Sequence, residues 1–98
     1  MKLGIFVGEL RSGSDVLDRI SAEKLGIILV GNGVYHATLK EGGKSSPVLD
    51  KSAQYYALTE DLETRGFTAA NLDSRVKAVT YGDIVDLIFN EYEKVIWI

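Results

Sequence analysis

Two short runs, Leu3–Val7 (LGIFV) and Leu25–Val30 (LGIILV), are apolar almost without a break. A strand with one wet face alternates apolar and polar residues. A run without that alternation belongs to a strand covered on both faces, which is the usual condition of a parallel sheet. Three further short runs repeat the theme: AQYYAL ending at Leu58, Val76–Val79, and the terminal VIWI. The stretches between them are amphipathic, so the chain reads as alternating strand and helix, the pattern of an α/β protein with a mostly parallel sheet. Ninety-eight residues suffice for one small domain, taken as 1–98.

The punctuation fits. Ser14 is placed to cap a helix whose stripe is Val16, Leu17 and Ile20. Gly31-Asn32-Gly33 suits a tight turn of positive φ into a short helix. Residues 41–51 mix Gly, Ser, Lys and Pro and read as a surface loop, with one helical turn near Val48. Thr59 is expected to cap the next helix, with Glu60 and Asp61 in its first turn and Arg65 in its last. Gly66 then stops it in the left-handed region. The stretch TYGDIVDLIFNEYEK forms a longer helix, with Ile84, Leu87, Ile88 and Tyr92 along one side and Val85 and Phe89 beside them.

Composition narrows the chemistry. There is no cysteine, which removes disulfides, thiolate metal sites, cysteine nucleophiles and persulfide carriage by this chain. The net charge is −3 and the basic residues are scattered, so no footprint for nucleic acid or an anionic membrane is expected. No apolar run is long enough to span a bilayer, and the opening MKLGIFVGEL has too short a core for a signal segment. The expected residence is the cytoplasm. A chain of this size buries only about 60–65% of the surface its unfolded form exposes, which is a motive for self-association or a partner.

Two glycine patterns resemble nucleotide sites and fail as such. GELRSGSD has the glycine spacing of a phosphate loop, but Ser14 and Asp15 stand where the lysine is needed. GNGVYH has two dinucleotide glycines, with His36 in place of the third small residue. His36, the lone histidine, cannot complete a zinc site and reads as a partly exposed helix residue. Glu60, Asp61 and Glu63 diverge on a short helix, so they read as capping of its positive end rather than an acid–base pair. No cofactor or metal is expected. Trp97 is either core or an exposed anchor.

Laid out in order, GIILVGNGVYHA, YYALTEDLETRGF and VTYGDIVDLI…VIWI give the chain a resemblance to the DsrH/TusB family of sulfur-relay proteins. The matching elements are Asn32-Gly33-Val34, Tyr56-Ala57-Leu58, Glu60-Asp61-Leu62, Arg65-Gly66, the Tyr81-x-Asp83-Ile84-Val85-x-Leu87 helix and Trp97. The resemblance implies a three-layer α/β/α domain with a five-stranded, mainly parallel sheet. It implies partners of the same fold, DsrE/TusD-like and DsrF/TusC-like proteins. In such complexes persulfide sulfur passes toward 2-thiolation of a tRNA wobble uridine, or serves dissimilatory sulfur metabolism. The sulfur-carrying cysteine lies chiefly on the DsrE/TusD-like subunit. The resulting expectation is a non-catalytic accessory subunit that self-associates when alone. Its candidate contact residues are Asn32, Gly33, His36, Asp61, Arg65 and Trp97. The alternative is a homo-oligomeric small-ligand module using the turns Gly8–Ser14 and Gly31–His36. An enzyme built on His36 or the acidic helix is a third reading, which lacks a second convergent base.

Overall fold

The computed structural model describes residues 1–9, 17, 19–20, 22–38 and 46–98. Five strands form one sheet: β1 (Lys2–Val7), β2 (Lys24–Leu29), β3 (Gln54–Leu58), β4 (Val76–Val79) and β5 (Lys94–Trp97). Their order is β4-β3-β2-β1-β5, and every neighbouring pair is parallel. The α-helices among the described residues are α1 (Tyr35–Thr38), α2 (Thr59–Thr64) and α3 (Tyr81–Asn90). Single 3-10 turns cover Gly31–Val34, Pro47–Asp50 and Ala69–Asn71. The turn expected near Val48 is therefore present. The expected helix from Ser14 lies largely outside the described residues; of its stripe, Leu17 is buried and Ile20 packs on the same core. The loop over 41–45 also lies outside them.

Side-chain alternation along these strands makes two cores, one on each face of the sheet. On the first face one row crosses all five strands as Ile96, Ile5, Ile27, Tyr55 and Val76. Leu17, Val34, Ala37, Val48, Leu49 and Leu62 close over it. The adjacent row, Trp97, Phe6, Ile28, Tyr56 and Lys77, points to the second face. There Ile84 of α3 packs with Phe6, Ile28, Leu58 and Val79. The three layers follow from handedness. The connections from β1 through β4 step one way along the sheet and fall on one face. The return from β4 to β5 runs the other way and falls on the opposite face. The described residues of those three connections thus cover the first face, and α3 alone among the described helices covers the second.

Local signals explain the helix ends, with three corrections. Thr59 is the first residue of α2 rather than its cap, since Leu58 holds that position and no side chain caps the helix. Threonine capping occurs instead at α3: the Thr80 hydroxyl accepts from the Asp83 N–H at 3.2 Å, and the Asp83 carboxylate accepts from the Thr80 N–H at 3.1 Å. This reciprocal box fixes the helix start. α3 stops at Asn90, so Tyr92 leaves the helix and is buried at 6% exposure. Its ring lies over Gly4 and Gly26, and a Cβ on Gly26 would sit 2.1 Å from the Tyr92 hydroxyl. Helical periodicity placed Tyr92 on the right face, but two strand glycines provide its seat. The third correction is His36, which is buried rather than partly exposed.

The end of α2 behaves as its sequence predicts. Gly66 has φ of 80°, and its N–H donates to the Glu63 carbonyl at 3.0 Å while the Phe67 N–H donates to that of Leu62 at 2.9 Å. These paired bonds define a Schellman ending, and Phe67 packs on the core that contains Leu62.

Candidate functional site

The connections leaving β1, β2 and β3 meet at the carboxyl ends of those strands, the usual place for sites in open parallel sheets. The residue after Val30 is Gly31 with φ of 53°, which swings its N–H toward α2. That N–H donates to Asp61 Oδ2 at 2.7 Å. One helical turn on, Arg65 reaches back. Its Nη1 donates to the Asp61 carbonyl at 3.0 Å and stands 3.8 Å from Asp61 Oδ1. Its Nη2 and Nε both point at Asn32 Oδ1, at 3.0 and 3.3 Å. The guanidinium also lies 5.9 Å from the Tyr35 ring centroid, and Tyr35 meets Phe67 edge-on at 5.8 Å. Gly31, Asn32, Tyr35, Asp61, Arg65 and Phe67 are therefore one tethered unit joining the β2 turn to α2. Charge-assisted bonds of this kind are the stronger ones, and the planar fork of Arg65 suits a shared acceptor.

Gly33 holds the other side of the turn. A Cβ there would lie 1.9 Å from the Val7 carbonyl oxygen, so the turn packs directly on the end of β1. Only a residue without a side chain permits that approach. Of the three residues expected at positive φ, Gly31 alone adopts it; Asn32 does not, and Gly33 is required for space rather than for torsion.

His36 ties this region to the next loop. Its Nε2 is 3.0 Å from the Glu9 carbonyl oxygen, which can only accept, so the neutral ring carries its proton on Nε2. Its Nδ1, 2.6 Å away, then accepts from the Ser46 hydroxyl. The same oxygen accepts from the Val48 N–H at 3.3 Å and caps the Pro47–Asp50 turn. Burial, the larger influence, holds the imidazole below its ordinary pKa, and the bond to the Glu9 carbonyl opposes this. Both ring nitrogens are engaged, so the histidine is a brace in this arrangement. Ser46 and the Glu9 carbonyl were not signalled by the sequence, because neither a lone serine in a polar loop nor a backbone oxygen carries a pattern.

Five of the six candidate residues, Asn32, Gly33, His36, Asp61 and Arg65, thus gather at one end of the sheet. Trp97 stands apart from them on the second face. Its ring stacks on Phe6 with centroids 4.6 Å apart and planes at 15°, and it is 66% exposed. Among the described residues no group of three or more His, Cys, Asp or Glu could hold a metal ion.

A separate cleft of about 580 Å³ opens on the second face at the amino-end side, between α3 and β2–β4. Lys24, Gln54, Tyr56, Lys77, Asp83 and Asn90 are among its walls, and it shares no residue with the carboxyl-end unit. Two of its charges are already matched: Lys24 pairs with Glu91, and Asp83 caps α3. Its neighbour Tyr92 has a buried hydroxyl, raised in pKa by burial first and by the nearby Tyr56 phenol second. The carboxyl-end unit is the better candidate, because three connections converge there on fixed donors and acceptors.

The three-layer arrangement with this strand order and these carboxyl-end turns defines an α/β/α protein of the DsrEFH-like fold. Solved structures agree. The protein Tm0979 of Thermotoga maritima is 26% identical, with 93% of this chain and 94% of that one covered at a TM-score of 0.61. MTH1491 of Methanobacterium thermoautotrophicum is 16% identical over the whole of both chains, at a TM-score of 0.69. The ychN protein of E. coli is 13% identical over 100% of this chain and 99% of its own, at 0.73. The last two likenesses concern the fold alone. Residues 11–94 match the family described as DsrH like protein, and the chain belongs to that family of sulfur-relay proteins. A search of curated protein sequences finds no match. No helix among the described residues is long and apolar enough to cross a membrane.

Proposed function

We propose that this chain is a non-catalytic accessory subunit of a cytoplasmic sulfur-relay complex, binding DsrE/TusD-like and DsrF/TusC-like proteins of the same fold. In that complex the partner carries the persulfide, and the sulfur proceeds toward 2-thiolation of a tRNA wobble uridine or into dissimilatory sulfur metabolism. The observation that carries the reading is the Asn32–Arg65–Asp61 unit. It presents a preorganised polar surface at the carboxyl ends of the strands, on a chain that has no thiol of its own. Preorganisation lowers the ordering cost of docking, and sulfur transfer needs a thiolate that only the partner supplies.

The same geometry argues against the small-ligand alternative at Gly31–His36. The space beside Gly33 is filled by the Val7 carbonyl, and both nitrogens of His36 are taken. Co-expression with a DsrE/TusD-like protein and affinity capture test the proposal. Co-elution that weakens at least tenfold in Arg65→Ala, with the fold intact, is the expected result. Absence of any complex with either partner type would overturn it.

A further inference from the structure

The unit at the carboxyl ends is left with more free hydrogen-bond donors than acceptors. A guanidinium carries five N–H bonds. Arg65 engages three of them within the chain, two on Asn32 Oδ1 and one on the Asp61 carbonyl. The other two have no partner among the described residues. Asn32 takes part only through its oxygen, so its side-chain NH2 is also without a partner there, and so is the Tyr35 hydroxyl. The acceptors of the unit are already engaged. Asn32 Oδ1 takes two bonds, the Asp61 carbonyl takes one from Arg65, and Asp61 Oδ2 takes the Gly31 N–H.

These donors are fixed in place. Arg65 is held from two sides and lies over the Tyr35 ring, which meets Phe67 edge-on. Asn32 is exposed, while Tyr35, Arg65 and Phe67 are half-buried, so the donors reach the surface beside two aromatic rings. Arginine and tyrosine in such partly desolvated settings are the residues that dominate interface hot spots. The charge of Arg65 is only loosely matched. Its two-bond edge faces a neutral amide oxygen, and the Asp61 Oδ1 contact with Nη1 is 3.8 Å long.

We infer that this surface receives a side-chain carboxylate of the protein partner, with Arg65 as its anchor and Tyr35 and Asn32 as flanking donors. Two N–H bonds of a fixed planar guanidinium match the two oxygens of one carboxylate, which offers acceptors and no donor. A nucleic-acid phosphate fits less well. Glu60 and Glu63 stand on the same short helix, and a run of phosphates would pass them, whereas a carboxylate brings a single charge. The inference rests on the accessory-subunit reading and adds what the partner must present: an acidic side chain, with an apolar neighbour to cover Tyr35 and Phe67.

The complex co-expressed with the DsrE/TusD-like protein carries the test. Arg65→Lys keeps the charge and supplies a primary amine, which a carbodiimide joins to a carboxylate in direct contact. Peptide mass spectrometry of the treated Arg65→Lys complex is expected to find an amide between position 65 and an aspartate or glutamate of the partner. Tyr35→Phe, with its circular dichroism unchanged, is expected to bind about tenfold more weakly, the effect of one lost bond to a charged group. A complex that forms with no cross-link at position 65, or a Tyr35→Phe variant that binds as the parent does, would overturn the inference and leave the accessory-subunit reading standing. Absence of any complex would overturn both. Filter binding of bulk tRNA to this chain alone is the remaining arm: retention that is lost in Arg65→Ala would assign the donors to phosphate and overturn the carboxylate.

Discussion

Replacing Gly33 by alanine probes the junction on which the carboxyl-end unit is built. The added Cβ would lie 1.9 Å from the Val7 carbonyl oxygen and 2.8 Å from its carbon. Both atoms are backbone at the buried carboxyl end of β1, so no rotamer change relieves the overlap. The turn must instead move off β1 by more than 1 Å, since normal contact is about 3.5 Å. That movement pulls on the Val30 N–H bond to the Val7 carbonyl, which measures 3.1 Å, and on the Gly31 bond to Asp61. Overpacking costs about 1–3 kcal/mol, and a rigid backbone neighbour puts this case near 3 kcal/mol. For a domain of this size each kcal/mol lowers Tm by about 4–8 °C, so a loss of roughly 12–24 °C is expected. Differential scanning calorimetry of parent and variant reads it. A Gly33→Ala melt within about 4 °C of the parent, less than 1 kcal/mol, would show that the turn does not rest on β1 as described.

Gly66→Val is expected to cost about 1 kcal/mol or more through its left-handed φ alone, since nothing lies within 4 Å of a Cβ there; an unchanged denaturant midpoint would contradict the Schellman assignment. Arg65→Ala is expected to cost about 1 kcal/mol, because it removes the bridge to Asn32 and the contact with Tyr35 as well as a favourable charge at the helix end; chemical denaturation checks the value. His36 has a folded pKa below its ordinary 6.5, so the unfolded chain takes up the proton first. Its contribution is complete above pH 6.5 and is lost as pH falls through the folded value. Melting temperature is therefore expected to decline below pH 6.5 more steeply in the parent than in His36→Gln, and parallel pH profiles would refute the buried neutral histidine.

Much of this architecture was legible because it rests on short-range rules. The unbroken apolar runs at Leu3–Val7 and Leu25–Val30 announce parallel strands, and Gly66 announces the end of α2, since both effects act within one element. What was missed depends on distant partners. His36 is buried because the Glu9 carbonyl and Ser46, far apart in sequence, satisfy its two nitrogens. Tyr92 leaves its helix because Gly4 and Gly26 leave room for a ring on the sheet. Thr59 is not a cap and Thr80 is, because an aspartate stands three residues beyond Thr80 to complete the reciprocal pair. At the candidate site, Asn32, Asp61 and Arg65 were singled out separately by turn and capping chemistry. That Arg65 joins Asn32 to Asp61 follows from the pairing of β2 with β3, which no local pattern states.

The proposed role is assistance of sulfur transfer without carriage of sulfur. Intact-mass spectrometry of its complex with a DsrE/TusD-like protein, after incubation with a cysteine desulfurase and cysteine, tests this most directly. Co-elution of the two chains, a gain of one sulfur atom on the partner, and an unchanged mass for this chain are expected. A stable sulfur adduct on this chain, or loading of a partner that never associates with it, would contradict the claim.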